Sequence, residues 1–259
     1  MLKTRLTAIV FMFMSISCVA QEILLDDFSS GVLDPTLWIQ LDTNVTDDGP
    51  KPWGPGVFDA SSGELNLRTT GVVPATPGRF EPENGGFLAA GWLASAVDPT
   101  FSNGTLRAKM RIDTPVAASL NLRSDLTTFS SYNFNLNADD GIFRIVRFEN
   151  GAGQLLGELP GVTLSQGEDW WVEATSIGNQ HSMKVWQVGS AEPDQPQLTV
   201  TDDTFSQGML GLGAGLSAGD MDTMVNATFD DVTFIVPEPH SAAIILSGIF
   251  AIGLAVRRR

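Results

Sequence analysis

The chain has 259 residues, with 15 Lys and Arg against 30 Asp and Glu and a formal net charge of −15. So acidic a protein disfavours nucleic acid and anionic lipid as partners and favours cations and neutral or cationic polymers. One cysteine and two histidines exclude a disulfide framework and multi-histidine metal sites.

Met1–Ala20 has the anatomy of a secretory signal peptide. Lys3 and Arg5 form a basic start, Leu6 to Met14 an apolar run, and Cys18-Val19-Ala20 a small-residue cleavage site ahead of Gln21. Signal peptidase is the partner this implies. The single cysteine leaves with that segment, and His181 is the one imidazole of the body that follows.

At the other end, Pro237 and Pro239 fix φ and lack donors, so Val236–Pro239 reads as a stiff, extended stretch. Ala242 to Val256 carries no charge. As a helix it spans roughly 23 Å, somewhat short of a ~30 Å hydrocarbon core, and it reads as a single transmembrane helix. Arg257, Arg258 and Arg259 close the chain and hold it in the cytoplasm. The order Pro-Glu-Pro, apolar helix, arginine cluster resembles the PEP-CTERM sorting signal of Gram-negative bacteria. That resemblance implies an exosortase that recognises Pro237, Glu238 and Pro239. It also implies transient inner-membrane anchoring, cleavage of the tail, and release to the cell surface or extracellular matrix. The chain then divides into a signal peptide (1–20), a body (21–235) and a sorting signal (236–259).

Removing Lys3, Arg5, the three tail arginines and Glu238 leaves 10 basic and 29 acidic residues, so the body carries −19. It shows alternation of period two, bounded by Gly, Asn, Asp and Pro, and no long helical period. Leu65 and Leu67 share a face; Leu106, Ala108, Met110 and Ile112 alternate with Arg107, Lys109 and Arg111 after Asn103-Gly104, a hairpin-type turn. Tyr132, Phe134 and Leu136 alternate with Asn133, Asn135 and Asn137, and Asp140-Gly141 turns the chain into Ile142–Phe148. Asn150-Gly151 makes a further turn, Trp170–Ile177 and Ser182–Val188 flank Gly178-Asn179-Gln180, and Thr228–Ile235 closes the body. Gly49–Gly56 and Val73–Gly86 read as long loops. The fold class is all-β, a two-sheet antiparallel sandwich or barrel.

The opening Asp26-Asp27-Phe28 with Leu33 to Trp38, the Trp171–Trp186 hairpin, and Gly208–Leu212 followed by Phe229–Phe234 resemble concanavalin-like, laminin-G-like jelly rolls. The resemblance implies core positions for Trp38, Trp171 and Trp186. Catalytic members, the laminarinase-like glycosidases, carry two glutamates with an aspartate between them on one strand, all facing the cleft as nucleophile and acid/base. No such triplet occurs here. Glu81-Pro82-Glu83 falls in a loop, Asp139-Asp140 in a turn, and Glu173 stands alone on its strand.

Flat rings stack on sugars, and Trp53 in Lys51-Pro-Trp-Gly-Pro55 has little to bury it, so it reads either as a binding residue or as a ring folded over a sheet edge. Asn133, Asn135 and Asn137 present amides on one face, with Arg123 on the strand before; that face is either sugar-binding or an ordinary solvated sheet. Jelly rolls of this kind bring first and last strands together, commonly around calcium. Asp27 and Asp231 are therefore candidate ligands of a structural Ca²⁺, the alternative being solvated aspartates. The expected function is a non-catalytic, exported module that binds or packs into extracellular polysaccharide. A polysaccharide hydrolase or lyase of this fold lacking the usual carboxylate motif is the alternative, and a purely structural matrix protein a third reading.

Overall fold

A computed structural model describes residues 21–41, 45–46, 49–50, 55–72, 89–95, 100–114, 116–137, 141–161, 164–215 and 223–237. In chain order the strands are β1 (Gln21–Asp26), β2 (Trp38–Leu41), β3 (Val45–Thr46), β4 (Gly49–Pro50), β5 (Gly56–Asp59) and β6 (Leu65–Thr69). There follow β7 (Ala89–Ser95), β8 (Gly104–Ile112), β9 (Ala117–Asp125), β10 (Ser130–Asn137), β11 (Ile142–Glu149) and β12 (Ala152–Pro160). The last are β13 (Asp169–Ile177), β14 (Gln180–Gln187), β15 (Leu198–Thr201), β16 (Met209–Gly215) and β17 (Asn226–Val236). Among the described residues no helix is long and apolar enough to cross a membrane.

Two antiparallel sheets face each other. One runs β15-β14-β13-β8-β17-β6-β5, with β1 also paired to β17; the other runs β12-β11-β10-β9-β16-β7-β2. The alternation explains the split. On β8, Leu106, Ala108, Met110 and Ile112 are buried while Arg107, Lys109 and Arg111 stay half-exposed. These inward residues meet Leu120, Leu122, Phe134 and Leu136 from the opposite sheet in one core.

The turns differ in chemistry. Asn150 (φ 51°) and Gly151 (φ 79°) are both left-handed, the two-residue hairpin geometry that Asn-Gly favours. Asn103-Gly104 is not a hairpin: β8 pairs with β13 and β17. Asn103 instead accepts a hydrogen bond from Gly178 N at 2.7 Å, so its amide caps the neighbouring β13–β14 turn.

Of the three tryptophans expected in the core, only Trp38 joins the core cluster; Trp186 is buried as well, but on the outer face of its sheet. It stacks on Phe28 at 6.1 Å and donates through Nε1 to Asp26 Oδ2 at 2.7 Å. Trp171 and Trp186 pair across β13 and β14 and stack on each other at 6.3 Å on the outer face, with the Arg107 guanidinium 5.3 Å above Trp186. One residue of strand register decides such a placement, and here Val172 and Ala174 hold the inward positions.

Candidate functional site

The β9–β10 pair is buried on both faces. One face is the core. The other, turned away from it, is polar, and register assembles it in rows. Gly213, Ser119, Asn135, Arg144 and Glu158 stand opposite one another across β16, β9, β10, β11 and β12. Trp92 of β7 pairs with Gly213 at the start of this row. The adjacent row is Gly211, Asn121, Asn133 and Val146, and the third is Gly215, Ala117, Asn137 and Ile142. Gly211, Gly213 and Gly215 thus leave one column of the face without side chains, beside a column of amides.

The polar groups are deep. Asn133 and Asn137 are 0% exposed and Asn135 4%. Asn133 Nδ2 donates to Asn121 Oδ1 at 2.8 Å, Asn121 Nδ2 to Ser119 Oγ at 3.4 Å, and Ser119 Oγ to the Gly213 carbonyl at 3.5 Å. Three oxygens along β10, Ser131 Oγ, Asn133 Oδ1 and Asn135 Oδ1, have no hydrogen-bond partner. A buried acceptor left unpaired costs about 1–3 kcal/mol, so three in a line on one strand call for a missing donor. At the far end of the first row, Arg144 Nε lies 3.4 Å from Glu158 Oε2.

Arg123 does not join this face. Between Arg123's two neighbouring strands the pairing steps from Asp125 to Leu122 against Ser130 and Tyr132, and from Ser124 to Asn121 against Met209 and Gly211. One extra residue in β9 makes a bulge, and Arg123 takes φ 54° within it. Its side chain turns to the core side, 5.9 Å over the Tyr132 ring. There it donates to Ser102 O at 2.9 and 2.6 Å, to Phe205 O at 2.6 Å and to Gly178 O at 2.8 Å. Burial lowers its pKa below that of a free guanidinium, and carbonyls rather than a carboxylate receive its charge. A Cβ at Gly208 would lie 2.3 Å from the Arg123 carbonyl carbon, so glycine there is a condition of the bulge. Sequence alternation could not reveal this, because a bulge has no period.

Beside the clamp lies a second buried group. His181 is 0% exposed; its Nδ1 is 2.8 Å from Ser176 Oγ and its Nε2 3.0 Å from Asp202 O. The Tyr132 ring packs 3.9 Å from the imidazole, and the Tyr132 hydroxyl donates to Asp202 Oδ1 at 2.6 Å. Burial lowers the His181 pKa. Asp202 is pushed up by burial, but hydrogen bonds from Tyr132 and Thr204 and the charge of Arg147 outweigh that and hold it at about 2.

The first and last strands do meet, β1 against β17. Asp231 occupies a bulge of β17 with φ 48°. Its pKa is raised by burial, then by Asp230, with Asp27 adding to it. Asp27 bonds locally to Ser29 N and Oγ at 3.0 and 2.7 Å. The cation at this seam is Lys109, 2.5 Å from Asp230, 3.8 Å from Glu64 and 3.9 Å from Asp231. Among the described residues no three His, Cys, Asp or Glu side chains converge as a metal site. Glu173 is an ion-pair partner of Arg107 and Lys184 on the outer face of its sheet. Trp53, Glu81, Glu83, Asp139, Asp140, Glu238, Pro239, Arg257, Arg258 and Arg259 lie outside the described residues, and Pro237 directly follows β17.

Neither a protein-family model nor a curated protein matches the chain. Solved structures match its fold. SCLam, a non-specific endo-β-1,3(4)-glucanase from family GH16, gives a TM-score of 0.55 at 10% identity, over 86% of this chain and 94% of its own. A β-1,3-1,4-glucanase (lichenase) from a mouse hindgut metagenome gives 0.53 at 16% identity, over 84% and 99%. A LamA variant from Zobellia galactanivorans, in complex with laminaritriose and laminaritetraose, gives 0.51 at 13% identity, over 81% and 96%. The chain therefore shares with these structures its fold, a two-sheet antiparallel sandwich resembling a jelly roll. The same neighbours correct the expectation of a body without catalysis. The scaffold is one on which glucan hydrolases are built, and a missing sequence motif does not remove the chain from it.

Proposed function

We propose that the body is an exported polysaccharide-acting jelly roll whose amide face receives the sugar chain. The carrying observation is the line of unpaired oxygens on Ser131, Asn133 and Asn135, set beside the side-chain-free column of Gly211, Gly213 and Gly215. Such a floor supplies fixed hydrogen-bonding groups. Hydrolysis or lysis without the usual carboxylate triplet is the reaction class that the glucanase-type scaffold supports. Asn133, Asn135 and Asn137 sit at alternate positions of one strand, the arrangement that the jelly-roll resemblance implies for three carboxyls. Here amides orient, and a carboxyl must come from elsewhere. Glu158 is the carboxylate that register places in the row of Asn135, beyond Arg144.

Export through the signal peptide and exosortase-type processing of the tail, leading to the cell surface or extracellular matrix, are part of the same proposal and rest on the sequence order at the two ends. The test is binding and turnover together. The full chain, held in a sugar-free detergent, is titrated calorimetrically with laminarin, and new reducing ends are counted over hours. Binding that falls at least threefold in Asn135→Leu, with the melting temperature unchanged, supports the face. No binding to any of a panel of extracellular polysaccharides overturns it. Reducing ends that disappear in Glu158→Gln assign the carboxyl, whereas turnover unaffected by that change removes Glu158 from the chemistry.

A further inference from the structure

The body holds one imidazole, His181, and the fold has sealed it. The ring is 0% exposed, although β15, the strand beside it, is the edge of its sheet. Both nitrogens are engaged, and their partners fix the tautomer. The Asp202 carbonyl can only accept, so Nε2 carries the hydrogen at 3.0 Å, and Nδ1 accepts from the Ser176 hydroxyl at 2.8 Å. That arrangement belongs to the neutral ring. A second proton, on Nδ1, would force the Ser176 hydroxyl to turn from donor to acceptor and would bury a charge.

The groups packed around the ring oppose that charge. From β9 comes the Arg123 guanidinium, 5.9 Å from the Tyr132 ring that His181 itself approaches to 3.9 Å. From β10 come Tyr132 and Phe134, and from β13 the uncharged Ser176. The facing carboxylate, Asp202, is already committed to the Tyr132 hydroxyl, to Arg147 of β11 and to Thr204 N. Lys184 of β14 lies on the outer face with Glu192. The Tyr132 face attracts a cation, but burial and then Arg123 act against it, and in sum the His181 pKa is lowered.

Over the ring runs a link without regular structure, residues 202–208, which joins β15 to β16. It is exposed or half-buried along its whole length. Polar groups hold it down. His181 donates to the Asp202 carbonyl, Tyr132 and Arg147 donate to the Asp202 carboxylate, Phe205 N donates to Tyr132 Oη, and Arg123 donates to Phe205 O. At its end, Gly208 N donates to Phe101 O in an isolated bridge. Such a segment, with few apolar contacts of its own, is one that opens while the sheets stay paired.

We infer that His181 is an acid-released latch: the uncharged imidazole holds the link closed, and protonation frees residues 202–208 while both sheets remain folded. The size of the effect follows from the free imidazole. An open link solvates His181 and restores its ordinary value of about 6.5, whereas the closed ring stays neutral. Closure is therefore fully favoured above that value and is lost as pH falls toward the lower folded one. Between about pH 7 and about pH 5 the open population rises about twentyfold.

Hydrogen exchange of the full chain in detergent, read by mass spectrometry, tests this, with each rate corrected for the intrinsic effect of pH. The bonded amides of the link should lose about twentyfold protection from about pH 7 to about pH 5 and recover it on return. Peptides of β8 to β10 should stay at least tenfold better protected throughout. In His181→Gln the link should exchange alike at both values. Link protection independent of pH in the wild-type chain, or the same acid loss in His181→Gln, overturns the latch. Link and sheets losing protection as one unit overturns it too, since the opening would then be global. If His181→Gln does not fold, His240→Gln leaves one imidazole for an NMR titration. A ring still neutral at about pH 6 in the closed molecule supports the latch; one that protonates near ~6.5 with link amides still protected overturns it.

Discussion

Replacing Arg123 by methionine separates a clamp from a ligand-binding residue. Arg123 is 3% exposed and donates to three backbone carbonyls, those of Ser102, Phe205 and Gly178. These tie the loops before β8, after β15 and after β13 to one point. Each carbonyl left without a partner costs ~1–3 kcal/mol when water cannot reach it. Ser102 and Gly178 are exposed residues, so water replaces part of what the guanidinium gave them. The structure therefore predicts a loss of about 2–4 kcal/mol, which in a domain of this size lowers Tm by roughly 5–15 °C. Urea unfolding followed by tryptophan fluorescence reads the change as a shift of midpoint at constant slope. Arg123→Lys should recover only a fraction, because one ammonium cannot span three carbonyls set for a planar fork. A loss below 1 kcal/mol, or weakened glycan binding at unchanged stability, would refute the clamp and return Arg123 to the saccharide face.

Acid stability should report the buried network next to it. Asp202 is held at about 2 against 3.8 when free. Its contribution, about 2 kcal/mol, is present above pH ~4 and lost as pH falls toward 2. Asp202→Asn should flatten that limb of the stability–pH curve, and an unchanged limb would mean other carboxylates set it. His181 has its folded pKa depressed, so its contribution is present above pH ~6.5 and declines below it; His181→Gln should remove the decline between pH 6.5 and 5. At the seam, Lys109→Met leaves the largely buried Asp230 without its cation and should cost about 1–3 kcal/mol by denaturant titration. For the tail, mass spectrometry of surface protein should show chains ending near Pro237–Pro239; retention of Arg257–Arg259 in most molecules would defeat the sorting proposal.

Much of the fold was legible because strand alternation is local. Leu106 to Ile112 and Tyr132 to Leu136 announce their inward faces in the sequence, and β8 and β10 place them as the alternation requires. Short strands hid themselves. β2 and β5 have four residues each, too few for a period to stand out. Gly208–Leu212 resembled a late strand of the jelly rolls, and β16 is one, but the resemblance did not show that Gly211, Gly213 and Gly215 line up with Asn121, Ser119 and Ala117. The outward positions of Trp171 and Trp186 needed the register of two partners on either side. The amide face was visible as Asn133, Asn135 and Asn137; its depth was not, because burial on the second face depends on tertiary packing.

The bulge in β9 connects these findings. Without it, period-two geometry would set Arg123 beside Asn121 and Ser119, and the face would carry a guanidinium suited to carboxylate or sulfate. With it, the same side chain spans three loops on the core side, and the guanidinium left in the rows of that face is Arg144, beside Glu158. Gly208 is part of that arrangement, since any side chain there would collide with the Arg123 backbone. Gly208→Ala should therefore lower stability by displacing Arg123 from the Ser102, Phe205 and Gly178 carbonyls. A urea midpoint unchanged in Gly208→Ala would show that the bulge does not depend on glycine at that position.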